Sequence, residues 1–103
     1  MARSISHPDL ADVTLSAVLQ ALSDPVRLEI VRQAANRDAL PCNAFIGCIP
    51  KSTLSHHWRV LREAGLLRQC YEGTQKLNSL RREELDARFP GLIDAVLAAD
   101  QPL

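Results

Sequence analysis

The stretch KSTLSHHWRVLREAGLL (51–67) decides how the rest of the chain is read. Leu54, Trp58 and Leu61 recur at the spacing of one α-helical face and form an apolar stripe. Gly65 then stands where such a helix is closed by a left-handed residue. A helix is expected over 51–64, with Lys51, Ser52, Thr53, Ser55, His56 and Arg59 clustered on its polar front.

Downstream, residues 66–71 and 76–80 have strand character, and Glu72-Gly73-Thr74-Gln75 between them reads as a hairpin turn. A short helical turn is expected over 83–88. A last helix is expected over 90–100, from Pro90, with Leu92, Ile93, Val96 and Leu97 on its apolar face. Upstream, Asp24-Pro25 is a helix start, Asp as cap and Pro at the first helical position. That helix runs to about Asn36, burying Leu28, Val31 and Ala35 and turning Arg27, Glu29 and Arg32 outward. Residues 38–50 hold Pro41, Gly47 and Pro50, leaving room only for a short helix over 43–46. A first helix is expected over 9–22, with one apolar stripe of Leu10, Val13, Ala17 and Ala21 and a second of Leu15, Leu19 and Leu22. A helix apolar on two sides is covered on both, and in so short a chain the second cover is a further subunit. Residues 1–8 read as a flexible arm.

A chain of 103 residues is expected to form a single domain. Apolar residues make up 47% and aromatic ones only 4%, so the core is built from Leu, Val, Ile and Ala, which favours helices. The opening MARSISHPDL has no apolar run of the signal-peptide kind, and no stretch approaches the roughly 20 apolar residues of a membrane span. A cytoplasmic protein with no membrane partner is expected. Its three cysteines, Cys42, Cys48 and Cys70, are an odd number without a CxxC pair, consistent with reduced thiols. The formal net charge is zero, but residues 51–82 carry +5 against −1 for 1–50 and −4 for 83–103. A basic middle between acidic ends is the footprint of a polyanion-binding surface.

The order helix, helix, short helix, helix, hairpin, helix is that of a winged helix-turn-helix: mainly α, about five helices plus a wing over 66–80. A helix that enters the major groove carries small or polar side chains at its front and an apolar stripe behind. Ser and Thr hydroxyls suit phosphates or base edges, and Arg59 can reach a guanine edge or a phosphate. On the helix alone, a solvated amphipathic helix of a protein-binding domain fits equally well. Gly65, the hairpin and the basic bias favour double-stranded DNA.

The 51–67 stretch closely resembles the recognition helix of the ArsR-type (arsenic-repressor-like) family of bacterial winged-helix repressors. ALSDPVRLEIVRQ (21–33) is similar to that family's second helix, and RQCYEGTQKLNSLRREELDARFPGLIDAVL (68–97) to its wing and last helix. The resemblance implies a sequence-specific regulator, a repressor, that binds an inverted-repeat operator as a homodimer paired through its first and last helices. It also implies that Ser52, Thr53, Ser55 and His56 face DNA, while His57 is structural and packs beside the core. Many members release DNA on binding a metal. The Cys pair of an ELCVCDL-like segment is missing from ALPCNAFIGCIPK (39–51), and the last helix has Asp94 and Asp100 but no His. No metal site and no cofactor are expected; release by thiol oxidation or by a small molecule stays open, and no motif identifies the inducer.

On the wing, Gln75 and Lys76 are candidate DNA contacts; Tyr71 either joins them or packs on the hairpin, and Arg68 lies near its base. Cys42 and Cys48 could form a thiol switch in the lead to the recognition helix, or Cys48 and Cys70 could be small apolar core residues. An enzyme is not expected: Ser52, Ser55, His56 and His57 share one helix with no buried carboxylate nearby in sequence, no Gly-rich phosphate loop and no metal motif. The remaining alternative is a winged-helix module or antirepressor that docks a protein.

Overall fold

The computed structural model describes residues 5–42 and 49–99. The Asp24 carboxylate accepts hydrogen bonds from the amides of Val26 and Arg27 at 2.8 and 3.1 Å. With Pro25 at the first position, where no amide donor is needed, helix α2 (Pro25–Ala35) starts as the sequence predicts. It buries Ile30, Val31 and Ala34, so of the three expected core residues only Val31 is fully buried. Arg27 does not point outward. Its guanidinium turns back across the start of the helix, for reasons that involve three elements.

The expected helix over 9–22 is broken in two. The Asp9 carboxylate accepts from the amide of Ala11 and holds a 3-10 turn (Leu10–Asp12). Val13 and Thr14 are extended, and the Thr14 hydroxyl accepts from the amide of Ala17 at 3.1 Å to begin α1 (Leu15–Ala21). Periodicity alone fits one helix. The competing side-chain caps at Asp9 and Thr14, with the β-branched Val13 between, divide it. Leu10, Val13, Val18, Ala21 and Leu22 are buried, whereas Leu15 and Leu19 are each 46% exposed.

The arm over 1–8 is also corrected where it is described. His7 Nε2 accepts from the amide of Gln69 at 2.9 Å, and Arg81 donates to the carbonyl of Pro8 at 2.8 Å. Residues 7 and 8 are therefore fastened to the rest of the fold.

Helix α3 (Lys51–Glu63) buries Leu54, His57, Trp58 and Leu61. It ends at Ala64, and Gly65 takes φ +84°. The amide of Leu66 bonds the carbonyl of Leu61 and the amide of Gly65 that of Arg62, both at 3.0 Å, which is the Schellman closure. Strands β2 (Leu67–Glu72) and β3 (Gln75–Leu80) pair antiparallel around a two-residue turn whose first member, Gly73, has φ +65°. A third strand that the sequence did not announce, β1 (Leu40–Pro41), pairs with β3, giving the order β1-β3-β2. Gln69 and Asn78 face each other across β2 and β3. Gln69 donates to the Asn78 side-chain oxygen at 2.7 Å, and the Asn78 amide nitrogen donates to the Leu40 carbonyl at 3.0 Å. One buried amide thus ties all three strands together.

Helix α4 is Arg82–Arg88, and α5 is Leu92–Ala99, two residues later than Pro90 because Gly91 is left-handed (φ +80°). On α5 only Ile93 is fully buried; Leu92, Val96 and Leu97 are half-buried. The short helix expected over 43–46 lies outside the described residues, as do Cys48 and Asp100. Among the described residues, five α-helices and a three-stranded antiparallel sheet with a hairpin after α3 make a winged helix-turn-helix.

Candidate nucleic-acid interface

The periodicity that buries one side of α3 frees the other. Lys51, Ser52, Thr53, Ser55, His56 and Arg59 are all exposed, with Leu54, Trp58 and Leu61 beneath them in the core. Pro50 precedes the helix and offers no side-chain cap, so the first-turn amides are not satisfied from within. Arg59 reaches toward Nδ1 of His56 at 3.4 Å, one turn back. Among the described residues neither Lys51 nor Arg59 is in an ion pair. This face carries hydroxyls, an imidazole and two unneutralised cations, groups that bind phosphates and base edges.

The hairpin carries the second group. Gln75 is exposed beside the turn, and Lys76 is half-buried with its Nζ 5.5 Å from the centre of the Tyr71 ring, its cross-strand neighbour. Tyr71 thus packs with Lys76 on the hairpin. Arg68, near the base, pairs with Glu84 at 2.7 Å. Glu84 also takes Arg81, and these guanidinium bonds, Arg81 first, hold its carboxyl below the ordinary range. Arg68 is accordingly tied to α4.

His57 is buried, as expected, but its partners were not foreseen. Nδ1 lies 3.1 Å from Arg27 Nη1, and Nε2 lies 4.0 Å from the Asp24 carboxylate. Burial pushes its pKa below the ordinary imidazole value of 6.5, with Arg27 and His56 adding to that and Asp24 opposing it. The available signal was the place of His57 beside the Leu54-Trp58-Leu61 stripe, since a buried ring needs partners for both nitrogens.

Cys42 is half-buried, and its Sγ accepts from the Asn78 side chain at 3.2 Å. Cys70 is exposed on β2, contrary to a core role, and Cys48 lies outside the described residues. Among the described residues no group of three or more His, Cys, Asp or Glu could hold a metal ion, and no helix is long and apolar enough to cross a membrane.

An exposed polar helix seated on a second helix, with a hairpin immediately after it, defines a DNA-binding transcriptional regulator of the helix-turn-helix class. Residues 22–70 match a helix-turn-helix domain family. The chain is 34% identical over 89 residues to the uncharacterized HTH-type transcriptional regulator YceK of Bacillus subtilis (strain 168), covering 82% of this chain and 88% of that protein. It is 34% identical over 94 residues to the arsenical resistance operon repressor of Staphylococcus xylosus, covering 84% of each. The chain belongs to the ArsR-type helix-turn-helix regulators. This is a family of transcriptional regulators, not of enzymes.

Proposed function

We propose that the chain is a cytoplasmic repressor whose 103 residues act as one domain and bind an inverted-repeat operator as a homodimer. The exposed face of α3 carries this reading. Its hydroxyls at Ser52, Thr53 and Ser55, with His56, Arg59 and Lys51, stand over a helix back that is fully committed to the core. Such a helix lies in the major groove, its open first-turn amides near a phosphate, while Gln75 and Lys76 bring the wing to the neighbouring backbone. The exposed Leu15 and Leu19 of α1, with the half-buried Leu92, Val96 and Leu97 of α5, supply apolar surface for the second subunit.

Selection of bound duplexes from a random DNA pool tests this. An inverted repeat is expected, and its affinity should fall steeply with added salt, as counterion release at several phosphates requires. Recovery of no sequence at any salt would overturn the reading and leave a protein-docking winged helix. Release by thiol oxidation belongs to the same proposal through Cys42, which touches Asn78 at the point where the three strands are tied. Affinity for the selected duplex that diamide leaves unchanged, or that responds equally in Cys42→Ser, would remove it.

A further inference from the structure

Three elements meet at one guanidinium. Arg27 stands in the first turns of α2. Its Nε donates to the carbonyl of Ala21 at 2.6 Å and its Nη2 to that of Gln20 at 3.4 Å. These carbonyls lie at the end of α1, where a helix presents the negative end of its dipole; that of Gln20 also accepts from the amide and hydroxyl of Ser23 at 3.2 and 2.6 Å. The third arm, Nη1, lies 3.1 Å from His57 Nδ1 on α3. Arginine only donates, so Nδ1 is the acceptor and the imidazole proton resides on Nε2, toward the Asp24 carboxylate 4.0 Å away. That same carboxylate caps α2 through Val26 and Arg27. The ring is thus held neutral, in one tautomer, between a fork and a cap. A lysine could occupy only one of the three acceptors well, whereas the planar fork serves them together.

We propose that Arg27 is a positioning residue for DNA reading: through a neutral His57 it fixes the seat of α3 on α2 and joins that seat to the end of α1. Protonation of His57 then loosens the reader. The proposal rests on α3 being the DNA-reading helix. The charged and titratable groups facing the ring are Asp24 and Arg27 from α2 and His56 from α3 itself. Only Asp24 favours the imidazolium; burial, Arg27 and His56 oppose it. Once protonated, Nδ1 would set a donor against a donor and a cation against a cation. The folded pKa lies below the ordinary 6.5. The bracket is therefore complete above that value and is lost as pH falls through the folded one.

The test compares wild type, His57→Gln and Arg27→Lys on the duplex recovered by selection. Glutamine keeps an acceptor for Arg27 but does not titrate, and His56 is present in every variant, so its own effect on DNA cancels. As pH falls from about 7.5 through the lowered His57 value, wild type is expected to lose severalfold more affinity than H57Q. R27K is expected to bind roughly tenfold more weakly than wild type at the higher pH. Nitrogen NMR of the His57 ring, which needs no DNA, should show the Nε2–H tautomer in wild type and a changed titration in R27K. Parallel pH profiles for wild type and H57Q, or an Nδ1–H tautomer, would overturn the proposal. If selection yields no duplex, the reading of α3 fails, while the ring tautomer and its response to R27K still decide the bracket.

Discussion

His7 is a single residue that closes a sheet edge. Among the described residues, the order β1-β3-β2 leaves one side of β2 without a strand, and the imidazole Nε2 takes the Gln69 amide that faces outward there. Unpaired edge amides invite other strands, so a local acceptor serves both stability and solubility. The bond needs a neutral ring. Burial is the largest cause that lowers the His7 pKa, followed by Arg81, Arg68 and Arg62, against a smaller raising contribution from the backbone at Ile5. A depressed folded pKa means that this contribution is complete above the ordinary 6.5 and disappears as pH falls through the folded value. His7→Ala should cost about 1 kcal/mol near neutral pH, the net worth of one hydrogen bond. In urea titrations the two proteins should converge at acid pH, where wild type has lost the bond as well. A difference that stays constant with pH would show that the ring contributes packing alone.

At the scale of elements, Gly65 joins α3 to the hairpin that follows. An alanine there meets two obstacles: φ of +84°, and a Cβ only 2.9 Å from Cγ2 of Val13. Gly65→Ala is expected to lose about 2 kcal/mol, combining left-handed strain with overpacking. A loss under about 0.5 kcal/mol in urea unfolding would mean that the Val13 segment yields freely. This glycine was legible in the sequence, as were the Asp24-Pro25 start, the stripe of α3 and the hairpin turn, because each is set by residues within a turn or two of one another. The break at Thr14 was not, since the spacing of Leu10, Val13, Ala17 and Ala21 fits a continuous helix and only the side-chain caps oppose it. Nor was β1, whose two residues become a strand only by pairing with residues of β3 far along the chain. Arg27 escaped for the same reason: in helical register it reads as a solvated cation, and its partners lie on α1 and α3. The polar front of α3 was predicted residue by residue, because a helix that buries one face must expose the other.

For the whole molecule, the question is what covers α1. Among the described residues, Leu15 and Leu19 are the large apolar ones left most open, each 46% exposed, and they follow a helix start capped by Thr14. As they take no part in the described core, Leu15→Glu with Leu19→Glu should fold normally. In the proposed homodimer the double variant should sediment as a monomer where wild type sediments as a dimer. Its affinity for the selected duplex should fall by roughly a hundredfold or more, since two linked half-sites act as one through effective concentration. Wild type that remains monomeric at all concentrations, or a double variant that remains dimeric, would refute that assembly.

The junction after α3 has a mechanical consequence. The amide of Leu66 is bonded to Leu61 and its carbonyl accepts from Arg81, both at 3.0 Å, so helix and hairpin are welded without a linker. This junction therefore holds α3 and the hairpin as a gauge holds its jaws. In the proposed complex, duplex sequences that flex to fit that opening would be favoured even at base pairs no side chain touches, and stiff ones rejected.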